Sequence, residues 1–353
     1  MRATSTLLIL MLFVPLVSMG TLLRVNNNPS VADEITVHSS LADVLANHAA
    51  PGDTVLLESS DLPYDGGLIT LDISLTIFGT GYFLEDNDCT QADVRPATIE
   101  ELQINAPNAR VAGIHIGTCN IDANQVRLMR CYITEYLGVG TASPVTSVYI
   151  NGNFIEGSHA TALVDLANAT NITLKNNFIH NTNAGGAHNC KITTGSGVIL
   201  NNLFFGEPDN LFHNAVVQNN YFELSEIDPL STALTVSYNL ASSTFLTAWG
   251  GAGNNNFGGL PEHQPDTVYC FTLMDGVSRD GKYQLNAWNT DPNSGNPAEN
   301  AGADGNDIGM FSGTTTYVLS GMPPIPSVAR YNGSIQGTQS GGTSATVKGK
   351  SRR

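Results

Sequence analysis

The sequence predicts an all-β solenoid of stacked coils, and three observations carry that expectation. A short mark recurs six times: Cys131-Tyr132-Ile133, Asn153-Phe154-Ile155, Asn177-Phe178-Ile179, Asn202-Leu203-Phe204, Asn220-Tyr221-Phe222 and Asn239-Leu240. Successive marks stand 22, 24, 25, 18 and 19 residues apart, the period of a chain built from one small supersecondary unit per repeat. Between the marks lie short runs such as Ser147-Val148-Tyr149-Ile150 and Gly197-Val198-Ile199-Leu200. Their alternate side chains are apolar, so one face of each is expected to be buried. No segment of helical period separates them, which argues against βαβ units.

Taken in order, residues 1–20 read as a secretory signal. Arg2 opens it, 7–17 is apolar apart from Pro15, and Ser18 and Gly20 supply small residues before a cut after Gly20. The run is short for a membrane span, which needs about 20 apolar residues, and no later stretch is long and apolar enough. Residues 21–34 form a polar lead-in. An N-terminal cap is expected over 35–60: the strand Ile35-Thr36-Val37, then Leu41, Val44, Leu45 and His48 at helical spacing, a break at Pro51-Gly52-Asp53, and a second strand from Thr54. A short helix there would cover the open end of the solenoid.

Coils are expected over 61–249. Eighteen to 25 residues suit three short strands and three turns. Stacking places the Asn marks one above another at a corner, where their amides can bond each other and the turn carbonyls. The next residues, Tyr132, Phe154, Phe178 and Tyr221, should form a second ladder, with Leu203 and Leu240 as departures. Residues 250–259, rich in Gly and Asn, read as a linker opening an irregular C-terminal module (250–330). The tail 331–353 is poor in apolar residues and is expected to be disordered.

Composition narrows the partners. The formal net charge is -16, with 41% hydrophobic residues. A core can form, whereas nucleic acid would require a basic face. The five cysteines, Cys89, Cys119, Cys131, Cys190 and Cys270, contain no CxxC pair, so a zinc or redox motif is not supported. Cys89–Cys119 is a candidate disulfide in an exported chain, and Cys131 reads as a buried small hydrophobe.

The block from Ile35 to Phe78, with Pro51-Gly52-Asp53-Thr54, resembles the start of proteins of the pectin-lyase-like superfamily, and the Asn-aromatic-Ile coils resemble their middle. The stretch 298–311 (AENAGADGNDIGMF) and Leu319-Ser320-Gly321-Met322-Pro323-Pro324-Ile325-Pro326 resemble the C-terminal end of secreted bacterial members. The resemblance covers about 35–326. It implies a right-handed parallel β-helix of bacterial source, exported through the inner membrane to the periplasm, the cell surface or the medium; the partner expected is a polysaccharide or another cell-surface component. It does not fix an activity, because this fold hosts lyases, hydrolases, epimerases and binders.

No acid–base constellation stands out. A lyase base would be Lys or Arg, often beside Ca²⁺, and the candidates are Lys175 and Arg130. Arg127 and Arg130 flank one strand and share a face with Lys175 only if the register allows it. Asp122, Asp165, Asp209 and Asp228 are scattered, without the carboxylate pair a hydrolase needs. Among the histidines, His180 and His188 lie with His159 in turns of neighbouring coils, where a metal or catalytic cluster requires convergence. Asp304, Asn306 and Asp307 offer oxygen ligands for Ca²⁺ around Gly305, although Asp, Gly and Asn equally make a tight turn. The sequence thus predicts a secreted or cell-surface protein that is glycan-binding or structural, with a polysaccharide lyase or other carbohydrate-active enzyme acting on acidic glycans as the alternative.

Overall fold

The computed structural model describes residues 20–29, 37–88, 90–183, 185, 187–242, 254–257, 268–274, 276–286, 295–333 and 345–350. Residues 1–19 of the expected signal segment 1–20, and Cys89, lie outside them. Two large sheets dominate, one of eleven strands and one of twelve, and every pairing within them is parallel. The chain is a parallel β-helix. Each coil runs along the first sheet, turns a corner, and follows the second sheet, which itself bends into two faces.

The coil around Asn177 shows the plan. Ile172–Lys175 lies in the first sheet, and Phe178–Asn181 and His188–Lys191 lie on the two faces of the second. Asn176 and Asn177 make the corner, with Asn176 left-handed at φ 54. The same conformation recurs at Gly113, Arg130, Gly152, Asn201, Asn219, Tyr238 and Asn255. Asn and Gly take it at least cost, so their abundance here has a backbone cause.

The amide ladder forms as its spacing suggests. Asn153 Nδ2 donates to Asn177 Oδ1 at 2.9 Å, Asn177 Nδ2 to Asn202 Oδ1 at 2.9 Å, and Asn202 Nδ2 to Asn220 Oδ1 at 3.0 Å. Each amide also donates to a carbonyl of the preceding strand, as Asn202 does to Leu174 at 2.9 Å. The ladder runs one step further than expected. Asn239 Nδ2 donates to Asn256 Oδ1 at 3.1 Å, and Phe257 pairs with Leu240. Part of the expected linker is therefore another coil corner.

After each mark the strand alternates. Ile116, Ile133, Ile155, Ile179, Phe204 and Phe222 are in register and fill the interior. Their predecessors Tyr132, Phe154, Phe178, Leu203 and Tyr221 point outward, yet are buried in a second apolar core. The C-terminal segment covers them with Tyr269, Tyr283, Met310 and Tyr317.

Several expectations are corrected. Leu22–Val25, within the supposed lead-in, is a strand of the first sheet with Leu23 and Val25 inward. The cap helix is one short α-turn, Leu41–Asp43, continued as a π-turn, Val44–His48. Residues 298–326, part of the expected irregular C-terminal module, lie along the flank of the solenoid. The Ala303 N–H bonds Asn219 Oδ1 at 2.9 Å, Asn176 Nδ2 donates to Met310 and Ser312 carbonyls at 2.8 Å, and Arg130 Nη1 donates to the Met322 carbonyl at 2.8 Å. This strap thus runs against the direction of stacking, held by the side chains of left-handed corner residues. The expected disordered tail contains an antiparallel hairpin, Ser327–Gly333 with Ala345–Lys350; Val328, Tyr331 and Val347 supply β-branched and aromatic residues suited to strands. Cys119 is a free thiol buried in the inner core, and its candidate partner Cys89 lies outside the described residues. Cys131 is buried as expected, its thiol donating to the Met129 carbonyl at 3.3 Å.

Candidate functional site

A concavity of about 880 Å³ forms a groove on the outer face of the first sheet. Its floor is a register row: Arg110 beside Arg127, Arg127 beside Tyr149, and Tyr149 beside Thr173. At about 4.8 Å per coil the row spans on the order of 14 Å. One wall consists of left-handed polar residues at the preceding corner, Asn108, Gln125, Ser147 and Asn171, with φ between 53 and 62. The other wall is the strap, with Thr314, Thr315 and Thr316.

The groove's charge is unlike that of the chain. Arg110, Arg127 and Arg130 line it, and among the described residues no Asp or Glu does. Arg110 and Arg127 are exposed and adjacent on paired strands, and neither guanidinium has a hydrogen-bond or ion-pair partner among the described residues. Like charges directly opposite on a sheet repel. In a chain of net charge -16, that arrangement concentrates positive potential in one place.

Lys175 lies one row to the side, in register with Asn151 and Met129, and outside the groove lining. It does not share the row of Arg127. Burial holds its ammonium below the ordinary value. Arg130 lines the groove but is committed to the strap through Met322. It therefore anchors the strap.

Among the described residues, His159, His180 and His188 do not gather into one cluster. His180 Nδ1 lies 3.2 Å from Glu156 Oε1, and the other carboxylate oxygen accepts from Arg279. Burial works against the Glu156 carboxylate, but the hydrogen bonds from His180 and Arg279 outweigh it and hold the group below its usual range. Arg279 also stacks over Phe83 and Tyr132, 4.9 and 5.4 Å from the ring centroids. This cluster fastens the C-terminal segment to the coils. His188 stands on the other face, beside Ala162 and Asp209 in register, with Nδ1 buried and without a protein partner. His159 stacks on Tyr136, ring centroids 4.6 Å apart.

The Asp304, Asn306 and Asp307 stretch is a tight turn. Ala303–Gly305 forms one 3-10 turn, Asn306 Nδ2 donates to the Ala303 carbonyl at 3.1 Å, and Asp307 Oδ1 accepts from the Asn300 N–H at 2.9 Å. One oxygen of Asp307 thus serves the local backbone.

The sequence contained a usable signal for the groove. Arg110, Arg127, Tyr149 and Thr173 each stand four residues before the corner residue of their coil, Ile114, Cys131, Asn153 and Asn177. Reading that offset lines up the floor without coordinates. No protein-family model matches the chain, and no curated protein matches it.

Proposed function

We propose that this protein is an exported, glycan-binding β-helix whose groove on the first sheet takes a linear acidic polysaccharide. The observation that carries the reading is the adjacent, unneutralised pair Arg110 and Arg127 on an acid-free groove floor in an acidic chain. Guanidinium groups pair with carboxylates or sulfates in a planar fork. Tyr149, next in the row, offers a ring face to an apolar sugar face, and the Asn, Gln, Ser and Thr walls offer donors and acceptors to hydroxyls. A hydrolase with two flanking carboxylates does not fit this groove.

Affinity electrophoresis and calorimetry against polygalacturonate, alginate and sulfated galactans, with neutral glucans as controls, test the reading. Acidic chains should bind, more weakly as salt rises, and Arg110→Ala with Arg127→Ala should weaken binding at least tenfold. Equal binding of neutral chains, or an unchanged double variant, rejects it. Lys175, its charge disfavoured by burial, motivates a lyase as second reading. Appearance of unsaturated uronate products, lost in Lys175→Ala, would select that reading over simple binding.

A further inference from the structure

Away from the groove, the N-terminal cap brings together three side chains that sequence spacing does not align. His38 ends the strand Val37–His38, Asp43 closes the short α-turn, and His48 ends the π-turn Val44–His48. The rings of His38 and His48 lie 4.3 Å apart between centroids. His48 Nε2 is 3.2 Å from Asp43 Oδ2. One ligand-type atom from each of the three lies within 4.8 Å of the other two.

We propose that His38, Asp43 and His48 form a binding site for a divalent transition metal of the zinc class. Two imidazoles and one carboxylate are a donor set that zinc accepts in open sites, leaving a fourth position to water or another ligand. Ligand atoms about 2.0–2.1 Å from a tetrahedral metal stand roughly 3.3 Å apart. The observed spread of at most 4.8 Å closes to that by small rotations of partly or fully exposed side chains.

The surroundings favour a built site over a chance surface pair. In a regular α-helix Asp43 would face Asn47, and His48 would turn away. The π-turn, a rare conformation often found at functional positions, brings the residue five positions on to the same side. Asn47 still donates to Asp43 Oδ1 at 2.7 Å, which leaves Oδ2 toward His48. Such an outer hydrogen bond orients a ligating carboxylate. The turn carrying Asp43 is pinned by Ser40 Oγ, which accepts from the Asp43 N–H at 3.0 Å, and by Asp65 Oδ2, which accepts from the Ala42 N–H at 2.8 Å. An ordinary Asp43–His48 ion pair explains neither the π-turn nor the placement of His38.

The test is titration of the metal-stripped full chain with Zn²⁺ against a chromophoric chelator, and with Co²⁺ by absorption. The expected result is one Zn²⁺ per chain at micromolar or tighter affinity, and a tetrahedral or five-coordinate Co²⁺ spectrum. His38→Gln and His48→Gln should each weaken binding at least tenfold, while His213→Gln leaves it unchanged. Thermal melts in chelator should coincide for all four proteins, showing that the variants fold. No stoichiometric binding, or binding that survives both His38→Gln and His48→Gln, overturns the proposal and leaves a surface ion pair only. Glycan binding plays no part in this experiment, so its outcome is independent of the groove.

Discussion

Tyr317 donates its phenolic hydrogen to Asp280 Oδ2 at 2.9 Å, and that bond closes the C-terminal strap over the aromatic row. The same carboxylate accepts from the Ser320 N–H at 2.7 Å and from Asn87 Nδ2 at 2.7 Å. Asp280 is fully buried, and so is Tyr82, whose hydroxyl meets that of Tyr317 at 2.8 Å. One carboxylate thus ties the loop at Asn87 and the strap to the stretch 276–286 that carries it.

Removing it strands three donors. Asp280→Ala should cost about 2–4 kcal/mol, since each buried donor left unpaired costs roughly 1–3 kcal/mol and some regain water. Urea unfolding measures the loss, and limited proteolysis should cut first within 298–326. A variant as stable as wild type and equally resistant to protease would show that the strap docks without this carboxylate.

The amide ladder gives a sharper substitution. Asn202 donates to Leu174 and Asn220, and its oxygen accepts from the Asn177 N–H at 3.0 Å and Asn177 Nδ2 at 2.9 Å. Asp has the same shape but no amide donors, so Asn202→Asp sets acceptor against acceptor. The expected cost is about 3 kcal/mol or more, read as a fall in the urea midpoint. Asn256→Asp, at the last rung, should cost less because its corner is only half-buried.

The ladder was legible because one residue type repeats at a coil period and a buried amide has few alternatives. The outward aromatics were legible as a row but not as a second core, since their cover comes from Tyr269, Tyr283 and Tyr317 far along the chain. The strap's path depends on bonds such as Arg130 to Met322, 192 residues apart, which no local pattern encodes. The strand Leu22–Val25 is too short to show a period among its polar neighbours. His48 was read at α-helical spacing from Leu41 and Val44. A π-turn changes which residues face each other, and so hid the trio with His38 and Asp43.

Acid should loosen the C-terminal segment through Glu156. Its folded-state pKa lies below the usual carboxylate value of 4.5 because hydrogen bonds from His180 and Arg279 outweigh the effect of burial. The unfolded chain therefore binds the proton more readily, and the stabilisation is present above about pH 4.5 and lost as pH falls through the folded value. Asp280 has the opposite sign, its pKa raised by burial against its hydrogen bonds. Comparing wild type with Glu156→Gln between pH 3 and 7 isolates the first group. The difference in melting temperature should be largest near neutrality and shrink toward pH 3. A constant difference would mean that the Glu156 charge does not hold the segment.

Arg110 and Arg127 make the last prediction, because a binding groove and a stable sheet ask different things of them. The two guanidinium groups sit on paired strands, and among the described residues no acid lines the groove to offset them. Without ligand their repulsion opposes folding. Arg127→Gln should therefore leave the free protein as stable as wild type or slightly more so, while weakening capture of an acidic glycan. Saturating the wild type with that glycan should raise its melting temperature by mass action, and the variant should gain less at the same concentration. High salt should narrow both gaps, by screening the repulsion in the free protein and the attraction in the complex. Differential scanning calorimetry with and without glycan, at two salt concentrations, reads all four quantities. A variant less stable than wild type in the free state would assign Arg127 a structural role and remove the charge argument for the groove.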